Sequence, residues 1–288
     1  ADEWIQEFRR GYEDKENRLC YSQNEYLRGL MPIAGRLYDS DVNAFLTATG
    51  ITDNTIIDAL CTLVNSAKAN GWWTKMTFIY PFPDATQAHC LVNLKTPGTY
   101  ALTANGGLTF ASTGVTGNGS TGYFDTGLAT NVLSQNDWHI SFYSRTDANT
   151  TIVEMGSRGV NNFGDCFLEL RTSNVTYYGC NQGNGVNNQI NFADTESLGY
   201  YLGTRTASTA CAVYKNGTSS QTGTLPSNAL NSNNMYLLAF NNNGTTQLYS
   251  TKECAFATAG TSIDSTLQAT MYTDIQTFQT SNIPLFSY

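Results

Sequence analysis

The sequence predicts a mainly β protein: an antiparallel β-sandwich that follows a helical hairpin and is closed by a C-terminal helix. After residue 84 the chain contains many short segments rich in aromatic and β-branched residues, separated by Gly and Asn clusters. Helices do not alternate with these segments, which excludes a parallel βαβ design and favours two packed antiparallel sheets. A chain of 288 residues that is 41% hydrophobic can bury a large core.

The composition limits the classes of ligand. Charged residues make up 13% of the chain, against about 25% in ordinary domains, so Asn, Thr, Ser, Gln and Gly supply most of the polar surface. Such residues pair with neutral, hydroxyl-rich ligands. A net charge of −8 with 15 Lys and Arg residues argues against nucleic-acid binding, which needs concentrated positive charge. The sequence has no run of about 18 apolar residues and no secretory leader pattern, so we expect no membrane span.

The cysteines are scattered along the chain without a CxxC or other metal-binding spacing. Several of them fall at apolar positions of predicted strands. We expect them to be small buried hydrophobic residues in a protein that is assembled in a reducing compartment. They are Cys20, Cys61, Cys90, Cys166, Cys180, Cys211 and Cys254.

Residues 1–38 are predicted to form a docking arm. The segment combines interleaved basic and acidic residues with several large aromatics. It is too polar to form a core of its own and too aromatic for a simple solvated tail. We expect it to dock on another subunit, and a helix folded back on its own domain is the alternative. The predicted docking residues are Trp4, Phe8, Arg9, Arg10 and Tyr12.

Residues 39–84 are predicted to form a helical hairpin followed by an aromatic linker. In the second helix Ile56, Leu60, Leu63 and Val64 recur at helical spacing, so one apolar stripe would pack on the next domain. Capping residues and helix-terminating residues mark the ends of both helices. The predicted boundaries are Ser40 or Asp41, Gly50, Thr52 or Asp53, and Asn70-Gly71.

The linker is too apolar to be left in solvent. Pro81 and Pro83 exclude a continuing helix in this segment. We expect Trp72 and Trp73 to pack against the next domain, and a stacking platform for sugars is the alternative.

Residues 85–288 are predicted to form the β-sandwich together with a terminal helix over residues 262–279. Asn216-Gly217 predicts a tight hairpin turn of type I′, which needs positive φ at both central positions. Leu267, Met271, Ile275 and Phe278 share one face of the helix, which would dock on the sandwich. The predicted strands include CLVNLK (90–95), GLTFAS (107–112), GYFDTG (122–127), DWHISFYSRT (137–146), TIVEMGS (151–157), DCFLELRT (165–172), NVTYYGC (174–180), LGYYLGTRT (198–206), CAVYKNG (211–217), MYLLAFN (235–241) and TQLYSTKECAF (246–256).

One face of the strand over residues 137–146 is the predicted ligand-binding surface. Trp138, Ile140 and Phe142 alternate with polar residues, so these three would face the core and the others would face away from it. A surface with a carboxylate, an imidazole, a phenol and a guanidinium suits a hydroxyl-rich ligand. Ordinary solvent exposure is the alternative. The candidate binding residues are Asp137, His139, Tyr143 and Arg145.

The carboxylates do not indicate a catalytic centre. Retaining glycosidases need two carboxyl groups about 5–5.5 Å apart, and inverting enzymes about 6.5–9.5 Å. Asp165 and Glu169 share one face of a predicted strand but would lie roughly 13 Å apart along it, and Glu154 stands alone. Motifs such as GxSxG, HExxH and the phosphate loop are absent from the sequence. We therefore expect no catalytic residues and no enzyme activity.

Calcium is compatible with a sandwich of this kind. Loop carboxylates and carbonyl oxygens are the ligands that calcium takes, although no ligand spacing supports one particular set here. The candidate ligands are Asp125, Asp147, Asp165 and Asp194.

The order of several segments is more informative than any one of them. The segments are GNGSTGYFDTG (117–127), HISFYSRT (139–146), LGYYLGTRT (198–206), CAVYKNGTSSQTGT (211–224), NMYLLAF (234–240) and the long C-terminal segment 249–280, with the helical lead-in 41–82 before them. As a set they resemble the laminin-G-like or concanavalin A-like lectin/glucanase sandwiches of tailed-phage virion proteins. The resemblance covers residues 40–282.

This resemblance implies a jelly-roll sandwich in a bacteriophage structural protein, on a tail or head fibre or as an accessory virion subunit. The expected function is non-enzymatic: residues 1–38 anchor the chain to other virion proteins, and the outward sandwich binds host surface glycans. Such binding would be weak per copy and strong through many copies of a homo-oligomer. A purely structural capsid or tail decoration subunit and a polysaccharide depolymerase are the alternatives. The implied location is the virion, assembled in the bacterial cytoplasm.

Overall fold

The computed structural model describes residues 38–181 and 189–281, which form two β-sheets and a set of helices. The helices are α1 (Ser40–Thr49), α2 (Asn54–Ala69), α3 (Gln87–Cys90) and α4 (Leu267–Ser281). The strands are β1 (Met76–Tyr80), β2 (Thr103–Asn105), β3 (Leu108–Ala111), β4 (Gly114–Gly117), β5 (Tyr123–Ala129), β6 (Trp138–Ser144), β7 (Met155–Arg158), β8 (Cys166–Thr172), β9 (Val175–Cys180), β10 (Gln189–Ala193), β11 (Gly199–Arg205), β12 (Ala210–Lys215), β13 (Thr218–Thr224), β14 (Asn234–Leu237), β15 (Phe240–Asn242), β16 (Thr245–Gln247) and β17 (Glu253–Gly260). None of the helices in these two stretches has the length and apolar character needed to cross a bilayer.

Two sheets stack face to face. The first sheet runs β13-β12-β11-β6-β17-β4-β3, and β1 pairs with the C-terminal part of β17. The second sheet runs β10-β9-β8-β7-β14-β5-β2, with the short β15–β16 ribbon attached to β7. Strand pairs in the described residues are antiparallel except for the pair of β15 with β7. The predicted antiparallel sandwich with flanking helices is confirmed.

The main core lies between the two sheets. Trp138, Ile140 and Phe142 of β6 face it and have no exposed surface, as the alternation in the sequence predicts. The second sheet contributes Leu168 and Tyr178, and the Tyr178 ring lies 5.6 Å from that of Trp138. Burial of this apolar surface is the dominant force that holds the sheets together.

A helical layer covers the outer face of the first sheet. Apolar side chains of α1, α2 and α4 form a second core with outward-facing residues of that sheet, such as Tyr200 and Leu202. Met271, Ile275 and Phe278 of α4 are buried, which confirms that this helix docks on the sandwich. The molecule therefore has three layers: helices, first sheet and second sheet.

The helix boundaries follow local capping chemistry. Gly50 ends α1 with φ 78° in the left-handed region that glycine adopts most easily, and Asp53 caps α2 through its carboxylate. Both agree with the sequence. The cap of α1 is Asp39 and not the predicted Ser40 or Asp41, because the Asp39 carboxylate accepts a hydrogen bond from the Asp41 amide at 2.9 Å.

The predicted aromatic linker contains a strand of the sandwich. Residues Met76–Tyr80 pair with β17, so the polypeptide before residue 85 already belongs to the first sheet. The two tryptophans that precede this strand are buried in the helical layer: Trp72 has no exposed surface and Trp73 is 4% exposed. They do not form an exposed stacking platform.

The predicted strand over residues 90–95 is wrong. Its first residue ends the short helix α3, and a turn follows. The fully buried Asn93 takes the place of a neighbouring strand: its side-chain oxygen accepts from the Ile79 amide at 3.0 Å, and its amide donates to Thr77 and Thr99 carbonyls. A side chain that satisfies backbone groups in this way is not visible as a pattern in the sequence.

The hairpin and the burial of the cysteines are confirmed. Asn216 and Gly217 join β12 to β13 with φ values of 50° and 73°, as a type I′ turn requires. The six cysteines after Cys20 are buried, while Cys20 itself lies outside the described residues.

Candidate functional site

The predicted binding face of β6 is not an open surface. Because the helical layer covers it, His139 is fully buried and Tyr143 is 9% exposed, while Asp137 and Arg145 are half-buried at opposite ends of the strand. This corrects the expectation that these four side chains form one accessible polar surface.

Each of these side chains has a structural partner. His139 bonds the Thr261 carbonyl oxygen through Nδ1 and the Thr258 hydroxyl through Nε2, at 2.5 and 3.0 Å. Burial lowers its pKa to about 4, so the imidazole is neutral at pH 7. Tyr143 donates to the Gln276 side chain, and Arg145 donates to Gln279 at 2.7 Å. Tyr143 and Arg145 thereby fasten α4 to the first sheet, and His139 joins β6 to β17 and the turn that follows it.

The predicted arm residues Trp4, Phe8, Arg9, Arg10 and Tyr12 lie outside the described residues.

The four candidate calcium ligands lie in different environments. Asp165 accepts two hydrogen bonds from Arg158, at 2.7 and 2.8 Å. The buried Asp194 accepts from the Lys215 ammonium at 2.6 Å. Arg158 and Lys215 thus neutralise the carboxylate charges that a calcium ion would otherwise neutralise.

The other two candidates do not converge with them. Asp147 pairs with the Arg171 guanidinium and accepts from Ser197, while Asp125 lies on β5 of the second sheet beside an amide. Among the described residues, no three acidic, His or Cys side chains meet in a group that could hold a metal ion.

The acidic residues immediately before β7 and β8 are also held in ion pairs. Glu154 is fully buried and forms an ion pair with the equally buried Lys252 at 2.9 Å. Asp165, just before β8, is paired with Arg158 at the end of β7. Burial raises the pKa of Glu169, which remains half-buried on the outer face of β8.

No helix within residues 38–181 and 189–281 covers the outer face of the second sheet, and a cluster of tyrosines lies on it. Tyr123 of β5 and Tyr236 of β14 have ring centroids 4.7 Å apart, and Tyr249, just before β17, lies 6.1 Å from Tyr123 at an angle of 64°. All three side chains are half-buried, so each presents part of its ring to solvent. We call this group the tyrosine cluster.

The strand pairing explains how these residues meet. Phe124 of β5 faces the core, so its neighbours Tyr123 and Asp125 point outward. Tyr236 of β14 lies directly opposite Asp125 in the antiparallel ladder. Two aromatic rings and one carboxylate are thereby held on a rigid sheet surface.

A carboxylate and an amide border the tyrosine cluster. Asn234 donates its side-chain amide to both oxygens of Asp125, at 3.0 and 3.2 Å, and the Gly127 amide donates to the same carboxylate at 2.8 Å. These bonds fix the orientation of the Asp125 side chain and leave oxygen lone pairs for a further donor.

The Tyr236 hydroxyl is suited to hydrogen bonding. Partial burial, the Asp125 carboxylate and Tyr123 together raise the pKa of Tyr236, so the phenol stays protonated at neutral pH. It can therefore both donate and accept a hydrogen bond. Ring faces, a hydroxyl, a carboxylate and an amide together can stack on an apolar face and bond hydroxyl groups around it.

The tyrosine cluster was not predicted from the sequence, although both of its strands were. The alternation in GYFDTG places Tyr123 and Asp125 on one face, and Tyr236 follows the buried Met235 in NMYLLAF. What the pattern does not show is that β5 and β14 are neighbours, since Asp125 and Asn234 are 109 residues apart.

Comparison with known proteins shows the fold. A receptor-binding domain aligns with a TM-score of 0.51 and 14% identity, over 72% of this chain and 52% of that one. A botulinum neurotoxin type C structure aligns with a TM-score of 0.50 and 12% identity, over 72% and 53% of the two chains. Domain 4 of the extracellular arabinanase AbnA from Geobacillus stearothermophilus, in complex with arabinotriose, has a TM-score of 0.45 and 15% identity, over 68% and 98%.

The chain thus shares a β-sandwich fold with the first two of these structures, and it spans about half of their length. At identities this low the likeness concerns the architecture alone. No family model and no curated protein matches the chain.

Proposed function

We propose that this chain is a non-enzymatic structural protein of a bacteriophage virion whose β-sandwich binds a neutral glycan of the host cell surface. Residues 1–38 would anchor it to other virion proteins, and the protein would assemble as a homo-oligomer in the bacterial cytoplasm. The tyrosine cluster carries the glycan half of this proposal. The virion half rests on the ordered segments within residues 40–282 that resemble tailed-phage proteins.

The comparisons are compatible with a glycan ligand. For botulinum neurotoxin type C, cell entry depends on interaction with two ganglioside molecules. The binding domain of botulinum neurotoxin DC was solved in complex with SialylT. A sandwich of this architecture can therefore present a sugar-binding surface. Its position on this chain has to come from the chain's own residues.

The surroundings of the tyrosine cluster favour a neutral sugar. Asp125 is paired with an amide, so its negative charge is not compensated by a cation among its described partners. The net charge of −8 adds to this field. An acidic sugar would be repelled, whereas a neutral one can stack a ring face on a tyrosine and donate hydroxyl groups to the carboxylate.

Replacing Tyr236 with alanine is expected to lower the affinity for host polysaccharide by about tenfold, because loss of one stacking face and its hydroxyl costs roughly 1.4 kcal/mol. Titration calorimetry with neutral oligosaccharides and binding to whole host cells would measure it. Tyr272→Ala is the matched control, since Tyr272 is also half-buried but lies on α4 against Tyr200.

If Tyr236→Ala and the unmodified protein bind equally well, the glycan-binding site is not at the tyrosine cluster. Absence of binding on a glycan array and on cells would contradict the proposed glycan binding and favour a purely structural decoration subunit. Release of reducing sugar from the polysaccharide would contradict the non-enzymatic assignment and favour a depolymerase.

Deletion of residues 1–38 is expected to prevent incorporation into virions while leaving the sandwich folded. Purified particles would be assayed for the subunit by immunoblotting, and circular dichroism would check the fold of the truncated protein. A full-length Tyr236→Ala variant is the control, because it should still be incorporated. Normal incorporation of the truncated protein would show that the anchor lies elsewhere.

A further inference from the structure

Two buried thiols from opposite sheets meet at one end of the main core. Cys180 is the last residue of β9 in the second sheet, and Cys211 lies on β12 of the first sheet. Their sulfur atoms are 3.3 Å apart. Cys180 has no exposed surface and Cys211 is 4% exposed.

We propose that Cys180 and Cys211 form a reversible redox pair, which closes to an inter-sheet disulfide when the protein meets a peroxide. The proposal does not depend on glycan binding or on a place in a virion. A disulfide requires sulfur atoms about 2.05 Å apart, so the two atoms need to approach by about 1.3 Å. Rotation of the two short side chains can supply a movement of this size.

The surroundings select Cys211 as the thiol that reacts first. Hydrogen bonding with Cys180 and the charge of the nearby Arg205 guanidinium lower the pKa of Cys211, while the same hydrogen bond and burial raise the pKa of Cys180. Cys211 is also the more exposed of the two, and it lies next to the edge strand β13. Local opening of an edge strand is enough to admit a molecule as small as hydrogen peroxide.

The chemistry is balanced with hydrogen peroxide as the oxidant. The Cys211 thiolate attacks one peroxide oxygen, the O–O bond breaks, and a sulfenic acid forms with release of hydroxide, which the thiol proton converts to water. The Cys180 sulfur, after losing its proton, then attacks the Cys211 sulfur. An S–S bond forms, the S–O bond breaks and a second water leaves. Two thiols lose two electrons and two protons, and one peroxide becomes two waters.

The other described thiols have different surroundings. Cys90 donates to the Asp84 carbonyl at 3.1 Å, and Cys254 approaches the Phe256 carbonyl at 3.7 Å. Cys166 lies opposite Cys180 in the β8–β9 ladder, on the neighbouring strand of the same sheet. It is the competing partner, and the pair that forms distinguishes the two outcomes.

The test compares the full-length protein after treatment with dithiothreitol and after treatment with hydrogen peroxide. We expect peroxide to reduce the intact mass by about 2 Da, two hydrogen atoms. Digestion without reduction should yield one peptide pair that joins Cys180 to Cys211. The melting temperature of the oxidised protein should rise by roughly 5–10 °C, because a bond between residues 31 positions apart restricts the unfolded chain. Dithiothreitol should reverse both changes.

Cys211→Ser should abolish the mass change and the thermal shift, and Cys254→Ser, a change at another fully buried thiol, should leave both intact. The peptide mapping uses the unmodified protein, so the result stands even if a variant folds poorly. A Cys166–Cys180 cross-link, sulfinic acid without a cross-link, or unchanged thiols after peroxide treatment would each overturn the proposal.

Discussion

Replacing Lys252 with methionine is expected to lower the free energy of unfolding by about 3–5 kcal/mol. Lys252 and Glu154 are both fully buried, and their charged atoms are 2.9 Å apart. Glu154 also accepts the Leu170 amide at 2.6 Å, which holds the carboxylate in place. Removal of the ammonium leaves a carboxylate in the protein interior without its counter-ion. Urea denaturation measures the loss.

The double variant Glu154→Gln/Lys252→Met should recover most of that stability, since neither charge is then buried. Lys68→Met is the control for an ion pair near solvent: Lys68 pairs with Asp39 but is 33% exposed, so the loss should stay below about 1 kcal/mol. Equal losses of unfolding free energy for Lys252→Met and Lys68→Met would show that burial does not increase the contribution of the Glu154–Lys252 pair to stability.

The same pair predicts a pH dependence. Burial raises the pKa of Glu154 from 4.5 to about 7, with Lys252 acting in the opposite direction. A carboxyl group with a raised pKa in the folded state binds its proton more tightly there than in the unfolded chain. Ionising it therefore costs stability as the pH rises from 4.5 through about 7. Without Lys252 the cost increases, so Lys252→Met should be more harmful at about pH 8 than at about pH 5. An equal effect at both values would contradict this explanation.

Replacing Arg205 with methionine is expected to cost about 3–5 kcal/mol as well, for a different reason. Arg205 is fully buried and bonds backbone carbonyl oxygens instead of a carboxylate. Its Nε donates to the Cys180 carbonyl at 3.0 Å, and one terminal nitrogen donates to the Leu225 carbonyl at 2.9 Å. Further bonds reach Ala207 and Ser208. Methionine fills the volume but removes all of these donors.

Thermal unfolding and near-ultraviolet circular dichroism would measure the effect. Arg205→Lys should not restore stability, because one ammonium group cannot reach carbonyls on both sides of the planar guanidinium. Arg171→Met is the control: the Arg171 side chain is 18% exposed and pairs with the more exposed Asp147, so a much smaller loss than for Arg205→Met is expected. Full stability of Arg205→Met would mean that the loop carbonyls find other donors.

Much of the fold could be predicted from the sequence because it depends on local patterns. Alternation around Trp138 identified β6 and its core face, Asp53 and Gly50 marked helix ends, and Asn216-Gly217 marked a hairpin. Each of these signals lies within a few residues. The same locality explains the misassigned segment at residues 90–95, where the Asn93 side chain replaces a strand partner.

The candidate binding site could not be predicted from the sequence, because it depends on contacts between residues that are distant along the chain. His139 and Ser141 look like a solvent-facing row in the sequence, but Thr258 of β17 bonds both side chains under the helical layer. A polar face can thus be buried when its neighbours satisfy its hydrogen bonds. The tyrosine cluster was missed for the corresponding reason, because only the pairing of β5 with β14 brings Tyr236 next to Asp125.

The helical layer makes the two outer faces of the sandwich different, because it covers the first sheet. Tyr38, the first described residue, packs in the apolar cluster of that layer, and α4 carries the chain to Ser281 on the same side. The tyrosine cluster lies on the opposite side, two sheets away. A partner that binds the helical layer would therefore face the side of the sandwich opposite to the tyrosine cluster. Copies arrayed on a flat support would all turn the same face toward their surroundings.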